Sequence, residues 1–137
     1  MNREITLEAA ETMIQAAKRK AEELKFQADI AVVDASGHLK AFARMDDAWL
    51  GSIDIAIRKA RTARYFDMET ATIGTMSQPG QPLYGVEHSN GGLITFGGGF
   101  PLKDTNGKTI GGIGVSGSTV DNDVKVAEAA VEAFERR

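Results

Sequence analysis

The sequence predicts a single α+β domain over residues 1–137, with about five antiparallel strands packed with helices, on three observations. The first is a repeated turn chemistry, Asp34-Ala35-Ser36-Gly37 and Asp104-Thr105-Asn106-Gly107, each set between β-rich apolar segments. The second is a set of three stretches with apolar residues at helical spacing. The third is a run of glycines: 11 of the chain's 15 fall between Gly85 and Gly117. They interrupt apolar β-type sequence (Leu93-Ile94-Thr95-Phe96; Thr109-Ile110, Ile113, Val115) rather than a polar linker. Antiparallel hairpins with segregated helices define the α+β class.

The first helix starts after Thr6, a side chain suited to capping. Its stripe is Leu7, Ala10, Ile14, Ala17, Ala21 and Leu24. Glu8 and Glu11 come early and Lys18, Arg19 and Lys20 late, which suits the helix dipole. This small, alanine-rich stripe suits packing on a sheet better than insertion in a membrane. Residues 30–34 and 38–44 then form a hairpin whose turn opens with Asp34 and closes with Gly37 in the left-handed region. A helix from about Ser52 to Phe66 buries Ile53, Ala56, Ile57, Ala60 and Ala63, and carries Arg58, Lys59, Arg61 and Arg64.

Ser77 to Asn90, with Pro79, Gly80, Pro82 and Gly85, reads as a long loop, a lid or pocket rim. Three glycine-broken strands follow, over 93–96, 100–103 and 108–115. The last helix starts after Ser118 and Thr119, with the stripe Val120, Val124, Ala127, Val131 and Phe134.

A net charge of −3 provides no basic field to recruit nucleic acid. With no cysteine there is no disulfide, thiolate nucleophile or cysteine-ligated metal. No apolar run approaches the roughly 20 residues of a membrane span. The start, Met1 to Thr6, has no apolar core of a signal peptide, so the expected location is the cytoplasm.

Glycine in a strand makes room for a bend, a ligand or another backbone. Gly97, Gly98 and Gly99, with Phe96, Phe100 and Leu83 beside them and Ser116 in the next glycine run, read either as a flat binding wall or as a seat for a tightly packed helix. His88, in Tyr84-Gly85-Val86-Glu87-His88, is the first candidate for proton transfer or axial ligation of a metal, with Glu87 beside it. His38 is the second candidate ligand, although a histidine just after a hairpin turn is more simply an exposed strand residue. Arg44 and Lys59 are candidate carboxylate anchors. The glycines match neither a dinucleotide fingerprint nor a phosphate loop, so no nucleotide is expected. At the N-terminus of the last helix, capping by Asp121 and Asp123 competes with anion binding.

Three motifs together go further. Val33-Asp34-Ala35-Ser36-Gly37-His38-Leu39 with Arg44-Met45-Asp46, Lys59-Ala60-Arg61-Thr62-Ala63, and Gly97-Gly98-Gly99-Phe100-Pro101 with Ile110 to Gly117 resemble the GlcG/HbpS-like family, which includes the C-terminal domains of PduO-type proteins. The resemblance covers almost the whole chain. It implies a profilin-like fold and homo-oligomers, with haem bound by some members and, in some of those, a link to haem degradation or redox sensing.

The leading expectation is therefore a domain that binds haem or, second, a corrinoid. A rival is a cofactor-independent enzyme on a small organic acid, with Glu87 or His88 as base and Arg44 or Lys59 as anchor. A third is an accessory subunit in glycolate- or propanediol-type metabolism. Trp49, Leu50, Tyr65, Phe66 and Met68 exceed what one chain's helix faces need, which predicts at least a dimer with Trp49 or Tyr65-Phe66 near its interface.

Overall fold

A computed structural model describes residues 4–136. Met1 to Arg3, part of the segment read for a signal peptide, lie outside the described residues. The elements are α1 (Leu7–Glu23), β1 (Asp29–Val33), β2 (Leu39–Arg44), α2 (Gly51–Phe66), α3 (Thr70–Met76), β3 (Gly99–Lys103), β4 (Thr109–Ser116) and α4 (Val120–Glu135). The sheet has four strands in the order β2-β1-β4-β3, with antiparallel neighbours throughout.

The expected fifth strand, over 93–96, does not form. Instead the segment runs along α2 and α3. The Ile94 amide donates to Thr62 Oγ1 at 3.1 Å, and the carbonyl of Thr95 lies against Gly74 of α3. Helix α3 is an addition to the sequence reading, which left residues 70–76 unassigned.

Both turns are built alike. Asp34 Oδ1 accepts from the amides of Ser36 (2.9 Å) and His38 (3.0 Å). Asp104 Oδ1 accepts from Asn106 (2.8 Å) and Lys108 (3.0 Å). Gly37 and Gly107 take φ of +81° and +82°, the left-handed conformation that a side chain disfavours. Thr6 caps α1 by accepting from Ala9, and Thr119 caps α4 by accepting from Asn122.

Strand alternation sends Ile30, Val32, Ile113 and Val115 to one face, where α1 and α4 cover them with Ala10, Met13, Ile14, Ala17, Val126, Ala127 and Phe134. Ala31 and Val33 face the other way and meet Ala56 and Ala60 of α2. The helix stripes differ in part from those expected, and that of α4 is rotated. In α4 the buried set is Asp123, Val126, Ala127, Ala130 and Phe134, and Val120 is exposed. In α1 Ala10, Ile14, Ala17 and Ala21 are buried as expected, Met13 and Ala16 join them, and Leu7 is exposed. In α2 Ser52, Lys59 and Thr62 join the buried alanines, while Ile53 and Ile57 are half-buried.

Candidate functional site

The glycine wall is covered. A Cβ on Gly112 would collide with the Ala60 carbonyl, and one on Gly114 with the Ala56 carbonyl. On Gly99 it would stand 2.5 Å from the Lys59 carbonyl. These positions are bare because the backbone of α2 lies directly on the sheet. Gly97, Gly98 and Gly99 are themselves buried, against Val124, Lys59 and Thr70 respectively. Of the two readings of these glycines, tight helix–sheet packing is the one the structure shows.

Lys59 lies in the middle of this packing. Its side chain is fully buried; Nζ donates to the Val115 carbonyl at 2.8 Å and pairs with Asp123 Oδ2 at 3.4 Å. The Phe96 ring lies over the ammonium at 5.0 Å from ring centre. Burial lowers the Lys59 pKa, and the Asp123 charge opposes that shift. Burial likewise raises the Asp123 pKa, opposed by Lys59 and by the Gly117 and Ser118 amides. Asp123 thus fills the N-terminus of α4, where the Ser118 amide donates to it at 3.0 Å. That is the capping use, and it leaves the turn no call on an external anion. Sequence reasoning placed Asp123 at this cap but missed its partner on α2; the signal was Lys59 itself, a lysine among the buried alanines of its helix.

A second polar cluster lies beneath the first turn of α2. Asp29 pairs in register with Arg44 on one side and Ser116 on the other. Ser116 Oγ donates to Ser52 Oγ at 2.8 Å, both residues being buried. Asp29 is fully buried and neither carboxylate oxygen has a hydrogen-bond partner. Burial pushes its pKa up to about 6, against the pull of the Arg44 charge. This cluster escaped the sequence reading, which starts the strand at Ile30 and does not single out Asp29.

The remaining candidates lie on two separate loops. His38 is exposed on the β1–β2 turn, which rests on the C-terminal half of α2 through Arg61 to the Gly37 carbonyl (3.3 Å) and Arg64 to the Ala35 carbonyl (2.6 Å). His88 is exposed in a single 3-10 turn, Val86–His88. Its segment is tied to the middle of α2 by Arg58, which donates to the Gly91 and Gly92 carbonyls. Glu87 is half-buried, with Oε1 enclosed and unpaired. Among the described residues, no hydrogen bond or ion pair joins Arg44 or Lys59 to Glu87 or His88. Phe100 is half-buried in the α4 side of the core.

The segment from Leu83 to Phe96, which carries the exposed His88, also exposes large apolar side chains. Leu83 is 40%, Tyr84 68% and Phe96 44% exposed. It is braced by α3, since the Leu83 amide bonds the Met76 carbonyl at 2.9 Å and Gly74 abuts Thr95 and Phe96. No group of three or more histidine or acidic residues among those described is arranged to hold a bare metal ion.

A four-stranded antiparallel sheet, covered by one helix on a glycine bed and by two helices on an apolar face, defines the class of domain. The chain belongs to the family described as haem degrading protein HbpS-like, whose profile matches residues 5–132. It is 44% identical over 131 residues to a 15.0 kDa protein encoded between dhaT and dhaS in Citrobacter freundii, covering 95% of this chain and 92% of that one. It superposes on the crystal structure of the Klebsiella pneumoniae protein ORFY with a TM-score of 0.95 and 38% identity, over 100% of this chain and 94% of that one. It superposes on the crystal structure of a PduOC:haem complex with a TM-score of 0.90 and 36% identity, over 94% of each chain. No helix among the described residues is long and apolar enough to cross a membrane.

Proposed function

We propose that this protein binds haem or a related tetrapyrrole against the exposed face of the segment from Leu83 to Phe96. The observation that carries the reading is the exposed trio Leu83, Tyr84 and Phe96 on the same segment as an exposed His88, in a chain whose relative was crystallised with haem. His88 would offer a ring nitrogen to the iron, with Phe96 and Leu83 lying against the macrocycle. When bound, the group supplies a redox-active iron. The chain's own residues bind it, orient it and keep water from one face. Lys59, buried beneath Phe96, holds that ring from below rather than reaching a propionate, and Gly97 to Gly99 and Ser116 are buried in the helix–sheet packing.

A flat ligand on one exposed surface leaves its other face to water, so a second copy closing over it would complete the site. We therefore also propose a homo-oligomer, to which Trp49 (64% exposed) contributes apolar surface. Titrating haemin into the purified chain tests the reading: the Soret band shifts and saturates at a fixed haem-to-chain ratio, and His88→Ala changes the bound spectrum. A spectrum of free haemin with no saturation at equimolar protein overturns it. Sedimentation equilibrium at micromolar concentration gives a mass above 14.7 kDa if the assembly forms, and that mass if it does not.

A further inference from the structure

A groove on the side of the molecule defined by the β3 edge lies apart from the proposed haem surface. It has a volume of about 500 Å3 and crosses from the α2–α3 junction over β3 to α4. Its apolar floor is Met68, Phe100, Pro101 and Val131. Its walls carry Asp67, Glu69, Glu128, Glu132 and Glu135 against a single cation, Lys103. Asp67 pairs with Arg64, and Glu132 lies 3.9 Å from Arg136. Glu69, Glu128 and Glu135 make no ion pair among the described residues.

We propose that this groove docks an amphipathic helix from another protein, with an apolar stripe flanked by lysine or arginine. Three observations select that occupant. Glu128, Glu132 and Glu135 follow one another at spacings of four and three along α4, a charged row about 10 Å long by helical rise. A row of that length matches basic residues at the same spacing on a second helix better than it matches a point cation. Next, the edge strand is closed to an added strand. Val115 donates to the Gly98 carbonyl, so in this register Phe100 bonds β4 and Pro101 turns outward, where it has no amide to offer. Finally, the arginines of α2 that could complement the groove from a second copy are engaged in their own chain: Arg58 with Asp54, Arg61 with the Gly37 carbonyl, and Arg64 with Ala35 and Asp67. The exposed cations a second copy keeps, among them Arg19, Lys25, Lys108 and Lys125, are not set in a row along one helix face, so a separate partner is the occupant proposed.

The test uses a fluorescein-labelled 14-residue peptide with a leucine stripe between lysine rows, read by fluorescence anisotropy against the full chain. Expected is saturable binding that weakens with salt and weakens about tenfold in the double variant Glu69→Lys, Glu128→Lys. The control Glu8→Lys, Glu11→Lys makes the same change in net charge on exposed positions of α1 and leaves the affinity within about twofold. Equal weakening by both pairs means the peptide senses only net charge and overturns the proposal. So does binding that never saturates. A change in sedimenting mass on reversing the groove charges also overturns it, because the occupant is then a second copy. Haemin titration of the same variants is unchanged, so this proposal can fail while the haem reading stands.

Discussion

On the α1/α4 side the sheet presents Ile30, Val32, Ile113 and Val115 to side chains of its own size, whereas on the α2 side it presents Ala31, Val33, Gly112 and Gly114 to main chain. The first face is an ordinary interdigitated core, held by apolar area removed from water. The second brings a helix so close that its carbonyls occupy the space of missing Cβ atoms. Little room then remains for large apolar groups, and polar side chains fill the margins: Lys59 with Asp123 at one place, Asp29 with Ser52 and Ser116 at another. Glycine runs in a strand can therefore mark a covered helix seat as well as an open ligand wall.

The largest expected effect lies on the glycine bed. Gly114→Ala places a methyl against the Ala56 carbonyl and the Ala60 amide, backbone atoms that cannot yield without lifting α2. A loss of about 3 kcal/mol or more in urea unfolding is expected, beyond the usual overpacking range. On the opposite face Ile30→Val, which only removes a methyl, costs about 1 kcal/mol. Equal costs at the two positions would erase the contrast between the faces.

Lys59→Met comes next. It leaves Asp123 buried with only amide donors, and a loss of about 3 kcal/mol is expected from breaking one side of a buried pair. Adding Asp123→Asn recovers part of that loss, because no uncompensated charge remains. A double variant as unstable as the sum of the singles contradicts the pairing.

Asp29→Asn acts in the other direction. The folded-state pKa of Asp29, about 6, lies above the ordinary carboxyl value of 3.8, so the folded protein binds this proton more tightly than the unfolded chain. Stability is therefore lost as pH rises through that window, and the full penalty is present above it. Removing the charge stabilises the protein at pH 8 by about 1–3 kcal/mol, and the gain shrinks as pH falls from 6 toward 4. Thermal unfolding of both proteins across that range checks the sign. A gain that grows toward acid refutes it. The smallest effect is Thr119→Ala at the α4 cap, about 1 kcal/mol in the same assay.

Much of the architecture was legible because it rests on local chemistry. Asp34 and Asp104 build their turns from their own neighbours, and Thr6 and Thr119 cap the helices they precede. The strand expected at 93–96 failed because its main chain is taken up by α2 and α3, the Ile94 amide by Thr62 and the Thr95 carbonyl against Gly74, rather than by a sheet neighbour. Helix α3 has only seven residues and no side-chain cap, so it leaves almost no local signature. The rotated stripe of α4 reflects its packing on α1 as well as on the sheet, which a one-dimensional spacing does not contain. Among the candidate residues, Leu83 and His88 were legible as loop residues, whereas Phe96 was expected to end a strand and instead lies exposed on the same segment. Lys59–Asp123 and Asp29–Ser116 were not legible, since each joins residues far apart in sequence.

Amide hydrogen exchange with and without haemin separates the two surfaces most directly. The account predicts that haemin protects the segment from Leu83 to Phe96 and leaves Gly111 to Gly117 and α2 unchanged, because the glycine bed is already filled by helix backbone. Haemin that instead alters exchange across Gly111 to Gly117 and Ala56 to Ala63, with residues 83–96 unaffected, would show that the ligand enters between α2 and the sheet and would contradict it.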